Sequence, residues 1–88
     1  MLKLDYHPHA KRRMRERRIT DAEVRTVLAS GAKQLSGLGD DGQDKWVQWA
    51  KVNGRMIEVV WWLLDPEADE PELVIVHVRT VIDKSKGW

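Results

Sequence analysis

Eighty-eight residues at a net charge of +1, with 42% hydrophobic residues and no cysteine, describe one small folded domain with a limited core. The absence of cysteine excludes disulfides, thiolate metal sites and a cysteine nucleophile, and it fits a reducing, cytoplasmic setting. The longest apolar run, Val59 to Leu64, is far short of the roughly 20 residues a membrane helix needs, and the opening "MLKLDYHPH" has no signal-peptide core, so no membrane partner is expected.

The near-neutral total conceals an asymmetry. Residues 1–18 hold seven Lys or Arg against Asp5 and Glu16. Residues 65–72, "DPEADEPE", hold five acids and no base. Such separation suggests directed electrostatics, or two solvated surfaces.

In chain order, Pro8 suits the first turn of a helix, where a missing N–H costs nothing. The pattern predicts a first helix from about His9 to Arg18, with only Ala10 and Met14 on an apolar stripe. A second helix follows Thr20. Thr20 and Glu23 form the capping box T-x-x-E, and Ala22, Val24, Val27 and Leu28 supply a buried face. Gly31 is expected to stop it in the left-handed conformation. A short extended piece is expected near Lys33–Ser36, and "GLGDDGQD" reads as a loop. "KWVQWAKV" and "RMIEVVWWLL" flank Asn53-Gly54, the strongest short hairpin signal. "ELVIVHVRTVID" reads as the last strand, and residues 83–88 as a frayed tail. The expected fold is α+β: two N-terminal helices on one face of a three- to four-stranded antiparallel sheet.

A two-residue turn at Asn53-Gly54 fixes the pairing. Val52, Ala50, Gln48 and Trp46 oppose Arg55, Ile57, Val59 and Trp61 on the expected core face. Lys51, Trp49, Val47 and Lys45 oppose Met56, Glu58, Val60 and Trp62 on a mixed face. In the last strand Val74, Val76, Val78, Thr80 and Ile82 form one set, expected in the core. Leu73, Ile75, His77, Arg79 and Val81 form the other, which would bring His77 and Arg79 near Trp49, Glu58 and Trp62. A histidine moves protons near neutral pH, a Glu orients or accepts, an Arg stabilises phosphate charge, and a Trp stacks on an unpaired base. The same residues also suit an ordinary half-exposed sheet with a Glu58–Arg79 cross-strand pair.

The first helix carries six Lys or Arg in the eight positions 11–18. His9, Arg13 and Arg17 recur every four residues, in one row, with Lys11, Arg12, Arg15 and Arg18 around them. Like charges four apart oppose the helix, so such a row points to a polyanion such as RNA, whose phosphates guanidinium groups grip in bidentate fashion. The structural alternative is arginine stems packed on the sheet with their heads on the acidic loop. His7 and His9, with no carboxylate cluster nearby, make a poor metal site, and no metal or cofactor is expected.

"HAKRRMRERRITDAEV", read as H-A-x-x-R-M-x-x-R-x-I-x-x-x-E-V, resembles the opening of a bacterial family known only as a domain of unknown function. Members of that family are similar to small toxins of the RelE-like, barnase–EndoU–colicin–RelE superfamily. A Gly-containing hairpin and the closing Val78-Arg79-Thr80-Val81 extend the resemblance over most of the chain. It implies a RelE/barnase-like domain, metal-independent cleavage of RNA, on the ribosome or free, and in many cases a neutralising antitoxin. His9, Arg13, Arg17 and Thr80 match its motifs. Arg18 stands where the family usually has Gly, and Ile82 where an aromatic often follows T-V. Tyr6 is the only tyrosine.

The expected catalytic set is therefore His9, Arg13, Arg17, His77, Arg79 and Thr80, with Lys11, Arg12, Arg15, Trp49, Glu58 and Trp62 as RNA contacts. The alternatives are a non-catalytic RNA- or ribosome-binding module, and an interaction domain or homodimer that uses some of the five Trp.

Overall fold

The computed structural model describes residues 3–38, 44–65 and 67–81. Its elements are β1 (Lys3–Tyr6), α1 (Pro8–Arg17), α2 (Asp21–Ser30), β2 (Ala32–Leu38), β3 (Asp44–Val52), β4 (Arg55–Leu63) and β5 (Glu72–Val81). They form a five-stranded sheet in the order β1-β5-β4-β3-β2. The fold is α+β as expected, but the sheet is larger and mixed. β1 joins β5 in parallel, from Lys3 opposite Glu72 to Tyr6 opposite Ile75. Ile82 at the expected end of the last strand, residues 83–88, and residues 39–43 within the expected "GLGDDGQD" loop lie outside the described residues.

β3 and β4 pair in the register that Asn53-Gly54 dictates, from Trp46 opposite Trp61 to Val52 opposite Arg55. Asn53 at φ 52° and Gly54 at φ 83° both take the positive angles that a tight two-residue hairpin requires. Lys45 and Trp62 are not a ladder pair, although both border one hollow. β2 pairs antiparallel with β3 from Ala32 opposite Trp49 to Leu38 opposite Asp44, so the short extended piece runs further than expected.

The last strand corrects the predicted alternation. Glu58, Val59 and Val60 face Arg79, Val78 and His77, but Trp61 then faces Ile75. Val76 is an extra residue, a bulge. Beyond it the parity reverses: Ile75 and Leu73 are buried in the core, while Val74 and Val76 are only half-buried. Val78 and His77 keep the expected sides.

The core lies between the sheet and the helices, built from Val24 and Val27 of α2, Ile57 and Val59 of β4, and Ile75 and Val78 of β5, all fully buried. α2 packs on β3 and β4, and α1 packs on β5. Gln48 is buried among apolar residues, yet its polar atoms are all engaged. It accepts from Trp61 Nε1 at 2.8 Å and donates to the carbonyls of Leu28 at 3.2 Å and Gly31 at 3.3 Å, at the C-terminal end of α2.

Gly31 does end α2, but not in the left-handed form. Its backbone is extended at φ −74° and ψ 151°. The need for glycine is space: a Cβ there would stand 2.5 Å from the Val27 carbonyl oxygen and 2.8 Å from that of Trp49. The left-handed cap falls instead on Arg18, at φ 55°, so α1 ends at Arg17, one residue before the expected end. Its N–H donates to the Arg15 carbonyl at 3.4 Å. An L-residue is strained there by about 1–2 kcal/mol. Arg18→Gly is therefore expected to raise stability by about 0.5–1 kcal/mol, read as an increase in the urea midpoint at constant slope.

α1 buries little. Ala10 is its one buried side chain, whereas α2 buries Glu23, Val24 and Val27. A buried methyl(ene) is worth about 0.8 kcal/mol and a buried valine about 1.5–3 kcal/mol, so α1 needs another anchor. Arg55 supplies it. Its guanidinium donates to the Arg17 carbonyl at 2.6 Å and the Arg18 carbonyl at 3.1 Å, capping α1, and to both Glu23 oxygens at 3.1 Å. Glu23 is 7% exposed, accepts also from Asn53 Nδ2 and the Thr20 N–H at 3.0 Å each, and completes the capping box. These bonds hold its carboxyl at about 2, well below the usual range, with the Asn53 amide as the largest cause. One arginine thus ties the helical corner to the hairpin end.

Candidate active site at the junction of α1 and β5

β1 pairs with only the first four residues of β5. Immediately after it, the His7 N–H donates to the Ile75 carbonyl at 2.8 Å, and Pro8 opens α1. His7 is the N-cap, with Nδ1 accepting from the His9 N–H at 3.2 Å. The turn therefore delivers α1 directly to β5. Ala10 and Met14 join the core, and His9, on the same helix, reaches His77.

The imidazoles of His9 and His77 stack, with centroids 5.6 Å apart and planes 18° from parallel. His9 is exposed and His77 half-buried. Burial lowers the His77 pKa from its ordinary value, and Arg79, the neighbouring His9 ring and Arg13 lower it further. Glu58 acts in the opposite sense. His77 is therefore held as the neutral base at neutral pH.

The alternation of the sheet arranges the rest. Glu58 stands between Trp49 on β3 and Arg79 on β5, and Val60 opposes His77. Trp49, Glu58, Trp62, His77 and Arg79 thus share one face, as the hairpin register implied for the first three and the alternation of the last strand for His77 and Arg79. Arg79 Nε donates to Glu58 Oε1 at 2.8 Å, with the arginine largely exposed. Thr80 opposes Ile57, on the helix-bearing side of β5, and so is not gathered with His77 and Arg79. Arg17 lies two helical turns beyond His9, about 12 Å along the axis.

α1 carries its basic side chains outward. Arg12 meets Glu16 at 4.0 Å, while Lys11, Arg13, Arg15 and Arg17 form no ion pair among the described residues. Repulsion along this row is not offset by local carboxylates. Among the described residues, no group of three His, Asp or Glu side chains is placed to hold a metal ion. Among the described residues, no helix is long and apolar enough to cross a membrane.

Tyr6, the one tyrosine, serves elsewhere. Its hydroxyl donates to Asp21, which Arg25 also meets at 2.7 Å. These two bonds keep Asp21 below the usual carboxylate range, while burial and Asp21 raise the phenol. The phenol is committed to the N-terminus of α2.

Sequence reasoning missed one feature. His7, His9, Lys45, Trp62 and Val76 border a hollow of about 300 Å³ beside the imidazole pair. The bulge at Val76 turns that residue onto the His77 side, and a bulge leaves no mark in an unbroken run of β-formers.

No curated protein and no solved structure matches the chain. Residues 6–83, nearly the whole length, match the family described as Domain of unknown function (DUF4258), and the chain belongs to that family.

Proposed function

We propose that this domain is a metal-independent endoribonuclease of RelE-like toxin type, with its site at the junction of α1 and β5. The observation that carries the reading is the His9–His77 stack at 5.6 Å, set beside Arg13 and Arg79. Two imidazoles at this distance reach one phosphate from adjacent positions, and neighbouring guanidinium groups suit its charge.

The chemistry uses the ribose itself. His77, kept neutral by burial and neighbouring cations, takes the proton of the 2′-OH. The 2′-oxygen attacks phosphorus, and the bond from phosphorus to the 5′-oxygen breaks. His9 supplies the proton to that leaving oxygen. Arg13 and Arg79 offset the charge that builds on the phosphorane. The products are a 2′,3′-cyclic phosphate and a 5′-hydroxyl. Lys11, Arg12, Arg15 and Arg17 grip flanking phosphates, and Trp49 and Trp62 offer flat surfaces to unpaired bases. A neutralising antitoxin fits the same reading, since an unrestrained ribonuclease harms its own cell.

The Glu58–Arg79 pair favours a second reading, a non-catalytic RNA-binding module, because Arg79 is already engaged. One experiment separates them. Purified protein is incubated in EDTA with a labelled single-stranded RNA and its DNA counterpart, with and without ribosomes. Cleavage of RNA alone, leaving cyclic phosphate ends, is expected. Salt-sensitive binding with both strands intact in every arm would leave the binding module.

A further inference from the structure

We infer that the hollow bordered by His7, His9, Lys45, Trp62 and Val76 is a binding site for one unpaired nucleotide, its base on Trp62 and its phosphate toward Lys45 and the two histidines. The inference rests on the proposed ribonuclease reading and adds to it a subsite that selects an unpaired nucleotide. Four observations carry it.

The lining is chemically two-sided. Trp62 and Val76 are half-buried apolar surfaces, and Lys45, His7 and His9 supply nitrogen donors. An aromatic anion matches both sides, and a nucleotide is the aromatic anion that also suits an arginine-rich helix next door. The volume, about 300 Å³, lies at the lower end for small-molecule sites. It admits a single nucleotide and not a paired stem. The hollow is also built, not incidental. Val76 borders it only because the β5 bulge turns that residue away from the core, and His7 borders it because its backbone N–H is tied to Ile75 as α1 begins. Last, His9 belongs both to the hollow and to the imidazole stack. A nucleotide held there is the immediate neighbour of the phosphate at His9 and His77.

The site therefore holds one unpaired base beside the cut. Stacking accepts any base, so Trp62 contributes affinity and selects for a splayed, single-stranded nucleotide.

The test is calorimetric and independent of cleavage. A 2′-O-methyl RNA five-mer, which lacks the free 2′-OH, is titrated into wild type, Trp62→Leu, Lys45→Glu and Lys33→Glu. A scan of the same five-mer with one abasic position at a time follows. Uridine 3′-monophosphate and inorganic phosphate are titrated alongside. One abasic position is expected to weaken binding to wild type about tenfold or more, and to make little difference in Trp62→Leu. Lys45→Glu weakens the five-mer as well, while Lys33→Glu, on the helix-bearing side of the sheet, leaves it unchanged. If no abasic position matters, or if inorganic phosphate binds as tightly as the nucleotide, the base site is wrong even where RNA is cleaved. If uridine 3′-monophosphate binds as tightly as the five-mer and loses affinity with Trp62→Leu, the base site stands. The ribonuclease reading falls separately, if the EDTA assay shows no cleavage of RNA with or without ribosomes. Circular dichroism of Trp62→Leu separates loss of binding from loss of fold, and Lys45→Glu tests the hollow without touching the aromatic surface.

Discussion

Arg55→Ala is expected to lower folding stability by about 3 kcal/mol, a large share of the roughly 5–10 kcal/mol available to a small domain. The substitution leaves the Glu23 carboxylate, 7% exposed, without its cation, and strips the Arg17 and Arg18 carbonyls of their donor. Breaking a fully buried pair costs about 3–5 kcal/mol; the lower end applies here because the Arg55 side chain is 34% exposed. The pH dependence follows from the same carboxyl. Its pKa in the folded chain is about 2 against an ordinary 4.5, so its contribution is complete above 4.5 and is lost as pH falls toward 2. That gap is worth about 3 kcal/mol. Glu23→Gln is expected to destabilise the protein at neutral pH and to flatten stability between pH 4.5 and 2. Urea titrations at pH 7, 4.5 and 3 check both variants. An unchanged midpoint in Arg55→Ala would show that α1 is anchored in some other way.

The second large effect is on catalysis. His77→Ala and His9→Ala are each expected to reduce RNA cleavage about 10²- to 10⁴-fold, the usual range for a positioned proton carrier. Stability is expected to change little in His9→Ala, since His9 is exposed. The pH–rate profile gives the sign. The neutral imidazole of His77 is the active form and its pKa is lowered, so activity falls on the acid side with a midpoint below 6.5. Glu58 alone among its charged neighbours raises that pKa, so Glu58→Gln moves the acid limb further down. A limb that stays fixed in Glu58→Gln and persists in His77→Ala would assign the base elsewhere. This pair of results would not follow from a merely structural role of either residue.

Much of the fold was legible because its signals are local. Asn53-Gly54 allows one hairpin register, and Thr20 with Glu23 allows one helix start; both appear as written. The basic row of α1 and the shared face of His77 and Arg79 follow from the helical and strand periods. What was not legible is non-local. β1 is four residues long with only Leu4 and Tyr6 turned to the core, and its parallel partner lies some 70 residues on. The bulge at Val76 reverses half of a strand whose two faces are almost equally apolar, so the pattern could not choose between them. Gly31 was recognised as a stop for the wrong reason, since what requires glycine is crowding by the Val27 carbonyl of α2 and the Trp49 carbonyl on β3. The hairpin pattern placed Arg55 opposite Val52 on the core face, but only tertiary packing brings it to Glu23 and the end of α1. For the same reason, the His9–His77 contact could be approached from the sequence only as two separate candidates.

The claim that matters most is that the cut uses the ribose 2′-OH at the paired histidines. The direct measurement is single-turnover cleavage in EDTA of two RNAs, identical except for one 2′-deoxy nucleotide placed 5′ to the mapped cut. The account predicts that this one bond becomes resistant while cuts elsewhere in the strand continue. Undiminished cleavage at the 2′-deoxy position would contradict it, because the attacking oxygen would then have to come from water.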